Sequence, residues 1–270
     1  MPMSIVIKLS SRETREYWEI PVLFEDEHLL ALDKPSRLLT SPDRYDADRP
    51  NLMKLLHRDI ARGAPWVKER AITYLANAHR LDFETSGIIL LAKNKPALIK
   101  LADQFGSERP EKNYVALVHD LPDQDRMEAD FKIGPHPVKL GLMRTDEKQG
   151  KRAQTDFEVI ERFSRHSLLK CRPTTGRTHQ IRVHLQKLRF PIVGDELYGG
   201  RPLLLSSLKP NYHLRHGEVE RPLMSRVALH AEGLDLAHPV SDTPVQIRSP
   251  LPKDLQVAVK YLRRYCSEAR

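Results

Sequence analysis

The period of the hydrophobic positions changes several times along the chain, and each change marks an element. Residues 88–92, Ile-Ile-Leu-Leu-Ala, form a short, continuous apolar run that is partly β-branched, the pattern of a buried strand. Residues 20–35 hold two short apolar segments around the acidic turn Glu25-Asp26-Glu27, which predicts a hairpin. From Asn51 to Arg62 the spacing becomes helical, with Leu52, Leu55, Leu56 and Ile60 on one face and Asn51 placed to cap the first turn. A second helix is predicted over roughly 96–106, with Pro96 in its first turn and Leu98, Leu101, Ala102 and Phe105 sharing a face. Alternation over 111–118 predicts a strand, and 153–160 with 166–172 a further hairpin. Two more helices follow, from about Thr178 to Lys187 and over 252–265. Residues 43–50 read as a loop, 121–155 as a turn-rich arm or loop, and 201–224 as a connection without an assignable pattern.

Composition narrows the partner more than the fold. A chain of 270 residues buries a sizeable core in one large domain or two lobes. Net charge is +8 and the pI about 9.4, a balance that favours a polyanion. Lys139, Arg144, Lys148, Lys151 and Arg152 outnumber Asp146 and Glu147 in the arm, giving it a basic face with two readings, a track along phosphates or a solvated surface. The two cysteines, Cys171 and Cys266, lack paired spacing. That argues against a disulfide scaffold or a Cys-rich zinc site and fits a reducing cytoplasm. Residues 4–9 are too short for a signal-peptide core, and no apolar run approaches a membrane span. His179 and His184 are five apart, whereas a helical zinc pair is spaced by four with a glutamate between. A Gly-x-Ser-x-Gly elbow is also absent.

Candidate chemistry concentrates just before the apolar run, in His79-Arg80-Leu81-Asp82-Phe83-Glu84-Thr85-Ser86-Gly87. Asp82 lies on a turn that feeds the core strand, which holds a carboxylate at the lip of a sheet. Arg80, two residues earlier, cannot lose its charge. In the helix from about 178, positions 178, 181, 182 and 185 share a face, so Arg182 points inward beside Ile181 and Leu185. An arginine so placed needs a carboxylate.

The string around Asp82 resembles the catalytic motif of the RluA-type RNA pseudouridine synthases, Arg-Leu-Asp-x-x-Thr-Ser-Gly before a strand. Other segments resemble that family in the same order: Leu32-Asp33-Lys34-Pro35, Lys112-Asn113-Tyr114-Val115-Ala116-Leu117-Val118, Gly176-Arg177-Thr178-His179-Gln180-Ile181-Arg182-Val183-His184 and Pro191 to Gly200. The likeness covers about 20–250. It departs after Lys34-Pro35, where Ser36-Arg37-Leu38-Leu39-Thr40 replaces the usual turn and its histidine is missing, and at Asp120, where the family often has glycine. Lys34 is left with two readings, a phosphate partner or a turn cap in solvent.

The resemblance implies an α+β pseudouridine synthase fold, with a mixed, mainly antiparallel sheet in two lobes, flanking helices and a central basic cleft. It implies an N-terminal extension over 1–19 and a catalytic domain over 20–270. The implied reaction is uridine to pseudouridine in structured RNA, ribosomal or transfer, by a monomer without metal, cofactor or membrane. Asp82 would be the catalytic aspartate, Tyr114 would stack on the flipped base, and Arg182 would pair with Asp82. Arg80, Thr85, Lys112, Arg177 and His179 are the expected RNA contacts. A non-catalytic RNA-binding or ribosome-assembly factor on the same scaffold is the alternative, and the presence of Asp82 weighs against it.

Overall fold

Strand alternation builds the first of two compact units, residues 1–111 with 231–249; the second takes 112–230 and 250–270. The computed structural model describes residues 6–43, 46, 49–212, 214 and 217–266, so the predicted loop at 43–50 lies partly outside the described residues. Strands β1 (Val6–Ser10), β2 (Tyr17–Glu25) and β3 (Leu29–Lys34) form an antiparallel meander. Residues 6–10 of the expected N-terminal extension are thus a strand of the sheet. Asp26 makes the β2–β3 turn, its Oδ1 accepting from the His28 and Leu29 N–H groups at 2.7 Å each.

Helix α1 (Leu52–Ala61) starts where expected, with the Asn51 side chain accepting from the Lys54 N–H at 2.9 Å. The short α2 (Pro65–Glu69) and β4 (Ala76–Asn77) lead to β5 (Ser86–Ala92). β5 pairs antiparallel with β3 and β4. Helix α3 (Lys95–Gly106) follows, capped by Asn94. Every residue of β5 is buried, because alternate side chains enter two different cores. Ile89 and Leu91 join Leu30, Leu32 and the α1 face, while Ile88 and Leu90 join Leu29, Ala31 and the α3 residues Ala97 and Leu101. A continuous apolar run satisfies both faces at once. Each such side chain contributes roughly 1.5–3 kcal/mol.

The second unit contains β6 (Glu111–His119), β7 (Arg126–Asp130), β8 (Ile133–Pro135), β9 (Met143–Thr145), β10 (Gln154–Arg162) and β11 (His166–Pro173). The order β6-β11-β10-β7 is antiparallel throughout. β8 and β9 form the arm as a small separate hairpin, with Val138 and Leu140 exposed at its tip. Helix α4 (Gln180–Lys187) begins two residues later than the spacing predicts, because His179 takes a left-handed conformation, φ 55°.

The chain then passes through β12 (Leu229–Ala237), one continuous strand across Gly233, to β13 (Pro244–Arg248), which pairs with it. It ends in α5 (Lys253–Tyr265), whose Leu255, Ala258, Val259 and Leu262 pack into the core of the second unit at helical spacing. The architecture is α+β and mainly antiparallel. No helix among the described residues is long and apolar enough to cross a membrane.

Gly87 connects sequence to packing most sharply. Its φ is +112°, and a Cβ there would lie 2.3 Å from the Ala231 carbonyl oxygen on β12. Gly87→Ala is therefore expected to lower the unfolding free energy by about 2–4 kcal/mol, from backbone strain and overpacking together. A urea titration reads this directly, and a loss below about 0.5 kcal/mol would mean that the two backbones part without cost.

Candidate active site

In the first unit, the loop carrying Asp82 is built by its backbone. The Leu81 N–H donates to Thr40 Oγ1 at 3.1 Å, and the same hydroxyl donates to the Leu81 carbonyl at 3.0 Å. The Phe83 carbonyl accepts from the Arg37 N–H at 2.7 Å, and the Glu84 carbonyl from the Ser36 hydroxyl at 2.7 Å. A turn closes with the Thr85 N–H on the Asp82 carbonyl at 3.2 Å. Upstream, His79 Nε2 accepts the Leu90 N–H at 3.0 Å, and its ring stacks on Phe105. Leu81 is buried and Asp82 half-buried. The carboxylate thus sits on a segment fixed by hydrogen bonds that do not involve its own side chain.

Ser36, Arg37 and Thr40 belong to the stretch that departs from the family's usual pattern, and they are the residues that brace the Asp82 loop. Lys34 corrects both readings made for it. It is fully buried, and its ammonium donates to the Pro35 and Leu38 carbonyls at 2.8 and 2.7 Å. It neither faces phosphate nor caps a turn in solvent; it folds the bracing loop from inside. Arg80 is exposed. Thr85 is placed differently from expectation. It is 2% exposed and its hydroxyl is enclosed, so it shapes the loop from within and offers no surface to RNA.

In the second unit, Gln180 organises the turn before α4. Its Oε1 accepts from the Thr175 hydroxyl at 2.6 Å and the Arg177 N–H at 2.9 Å. Its Nε2 donates to the Gln154 carbonyl and Thr155 Oγ1 at 2.9 and 3.0 Å. Thr155 Oγ1 also lies 3.0 Å from His184 Nδ1, while His184 Nε2 meets the Phe131 carbonyl at 3.1 Å. A neutral imidazole satisfies both contacts as acceptor and donor.

Lys112, expected to touch RNA, directs its ammonium to the Thr174 and Thr175 carbonyls at 2.8 and 3.1 Å and so braces the same turn. Arg177 Nε donates to the Arg152 carbonyl at 2.9 Å. His179 Nδ1 meets the Tyr198 hydroxyl at 2.8 Å. Tyr114 is half-buried on β6 against the core.

Arg182 is 4% exposed, pointing inward as its helical position predicts. Within its unit its carboxylate is Asp195, gripped through Nε and Nη2 at 2.7 Å each. Asp195 is 1% exposed. The guanidinium also lies 4.8 Å from the Tyr198 ring centroid. Sequence reasoning named neither Asp195 nor Tyr198 as a site residue. Both stand in the Gly194-Asp195-Glu196-Leu197-Tyr198-Gly199 string, where a carboxylate and an aromatic beside a tight turn were the available signal. Among the described residues, no group of three or more His, Cys, Asp or Glu side chains is arranged to hold a metal ion.

Burial holds three imidazoles of this unit below the ordinary 6.5: His119, His184 and His166, the last pushed down to about 4. The unfolded chain protonates them near 6.5 and the folded chain resists, so between those values the unfolded state binds more protons. Stability is expected to fall as pH drops from 6.5 toward 4. The urea midpoint should be lower at pH about 4.5 than at about 7, and His166→Asn should flatten part of that slope. An unchanged slope would assign the acid sensitivity to other groups.

The model of the RNA pseudouridylate synthase family matches residues 28–187, more than half of the chain. The chain belongs to that family. It is an RNA pseudouridine synthase, an isomerase. Two relatives of this pseudouridine synthase are the ribosomal large subunit pseudouridine synthases D of Xylella fastidiosa and Xanthomonas campestris pv. campestris. The first is 38% identical over 250 residues, covering 90% of this chain and 70% of its own. The second is 34% identical over 268 residues, covering 99% and 76%. Among solved structures, human RNA Pseudouridylate Synthase Domain Containing 4 superposes with a TM-score of 0.65 at 21% identity, over 90% of this chain and 92% of that one. It shares the fold.

Proposed function

We propose that this pseudouridine synthase modifies ribosomal RNA of the large subunit, with Asp82 as its catalytic carboxylate. The relatives' names support the choice of RNA. Above all, the catalytic reading is carried by the half-buried Asp82 on a loop whose backbone is tied to residues 36–40. A carboxylate held in this way needs no reorganisation before it acts.

The reaction conserves atoms. The N1–C1′ bond breaks, the base turns, C5 bonds to C1′, and the proton lost from C5 is balanced by one gained at N1. A stacked uridine must first leave its helix, at a cost of a few kcal/mol. Asp82 then acts in ionised form, either by attack at C1′ or by removing a sugar proton to give a glycal. Tyr114 stacks on the extruded base and assists removal of the C5 proton. Arg182 serves the reaction as a fixed positive charge. Its Nε and Nη2 serve Asp195. Arg80 holds the flanking backbone. The work takes place in the cytoplasm, where free cysteines stay reduced; both cysteines here are free and buried.

The test is to map pseudouridine in large-subunit ribosomal RNA and transfer RNA from cells with and without the gene. One or more uridines of the large-subunit RNA are expected to lose modification and to regain it when the purified protein is added. Loss confined to transfer RNA would overturn the choice of substrate.

A further inference from the structure

The second unit carries another concavity, of about 790 Å³, at the far end of β6. It opens at His119, five residues past Tyr114 on that strand, or about 16 Å of extended chain. None of Tyr114, Arg182, Asp195 or Tyr198 lines it. Its volume suits a ligand of nucleotide size.

Two kinds of surface meet there. The wall is apolar, with Leu203, Leu204 and Leu208 from the connection that had no assignable pattern and Tyr265 from α5. The rim carries Arg165 and Arg201, both exposed, against the single carboxylate of Asp120. Elsewhere in this unit Arg162, Arg172, Arg226 and Arg263 are matched to carboxylates. Among the described residues, Arg165 and Arg201 have no such partner. The rim is held in place: the Arg201 N–H donates to His119 Nε2 at 3.0 Å, and the Arg165 carbonyl accepts the Asp120 N–H at 3.0 Å. His166, packed on His119 with ring centroids 5.1 Å apart, is 8% exposed and its Nδ1 lacks a hydrogen-bond partner. An aromatic and aliphatic wall beside two uncommitted guanidiniums suits a base joined to a phosphate.

We propose that this cleft takes a second, non-reacting nucleotide of the substrate RNA, unstacked, with its base against Tyr265 and Leu204 and its phosphate on Arg165 and Arg201. The proposal rests on the enzyme acting on RNA, and it is independent of which uridine reacts and of the role of Asp82. It adds a recognition point that reads single-stranded RNA outside the active site.

The experiment uses the whole protein and 4-thiouridine-labelled ribosomal and transfer RNA. After irradiation, cross-linked peptides from 201–208 or around Tyr265 are expected, and Arg165→Glu with Arg201→Glu should remove them. The same double variant should raise KM for long RNA about tenfold, from two lost phosphate contacts, with kcat at saturating RNA unchanged. Arg165→Lys with Arg201→Lys should restore most of the affinity. An unchanged urea midpoint excludes misfolding, because both positions are exposed. Absent cross-links, or an unaltered KM, would overturn the proposal. Equilibrium dialysis with adenosine and uridine 5′-monophosphates separates a strand from a free nucleotide. Tight saturable binding that RNA does not displace would make a free nucleotide the occupant and also overturn it. Cross-links at the cleft without any pseudouridine formed in ribosomal RNA would leave this site standing and remove the proposed substrate instead.

Discussion

Asp82→Asn is expected to abolish pseudouridine formation while leaving the fold and RNA affinity near those of the parent protein. The substitution keeps shape and removes charge, and an amide can neither attack C1′ nor take a proton from the sugar. Loss of at least about 10⁴-fold in kcat is expected, the scale that follows removal of a reacting group. The fold should be indifferent, because the loop is held through the backbone groups of Leu81, Phe83 and Glu84 by Thr40, Arg37 and Ser36. Release of label from C5 of uridine in RNA gives the rate, and a filter-binding titration gives the affinity. A variant that turned over near the parent rate would remove Asp82 from the chemistry. One that lost both activity and its urea midpoint would show that the side chain also supports the loop.

The second large effect is expected at Arg182. Arg182→Lys should lose most activity although the charge is kept, because an ammonium cannot make the two parallel hydrogen bonds that Asp195 receives at 2.7 Å each. Arg182→Met should be worse. It leaves Asp195, 1% exposed, without its cation, and breaking a buried pair in this way costs roughly 3–5 kcal/mol. Stability and catalysis therefore fall together in the single variant, and the double variant separates them. Adding Asp195→Asn to Arg182→Met removes the stranded charge, so the urea midpoint should recover in part. Activity should stay lost, because the guanidinium proposed to serve catalysis is still missing. A double variant that regained activity along with stability would confine Arg182 to a structural role.

Much of the fold was legible in one dimension because periodicity reports burial directly. The apolar run at 88–92 became a strand buried on both faces, since alternate side chains of β5 feed two separate cores. Asn51 and Asn94 cap the helices that the spacing predicts, because a cap needs only a local side chain and a neighbouring N–H. The inward face of Arg182 followed from helical geometry in the same way. These are properties of short segments, in which the cause and its effect lie a few residues apart.

What the sequence by itself determined, then, was the type and order of the main elements, the family likeness of the motifs, the position of Asp82 ahead of a core strand, and the need of Arg182 for a carboxylate. Tertiary structure alone decided which groups meet. Lys34 reads as a surface lysine until residues 35–38 close over it and supply two carbonyls. Thr85 and Lys112 read as RNA contacts, yet packing encloses the first and the turn at 174–175 takes the ammonium of the second. Asp195 is thirteen residues from Arg182, too far for helical spacing to link them, and the turn at 191–200 brings it back. The physical reason is the same in each case. Charged and hydroxyl side chains look alike on the surface or inside, and a buried one is tolerated only where the fold delivers its hydrogen-bonding partners. Those partners come from distant segments, so their identity is written in the packing and not in the local pattern.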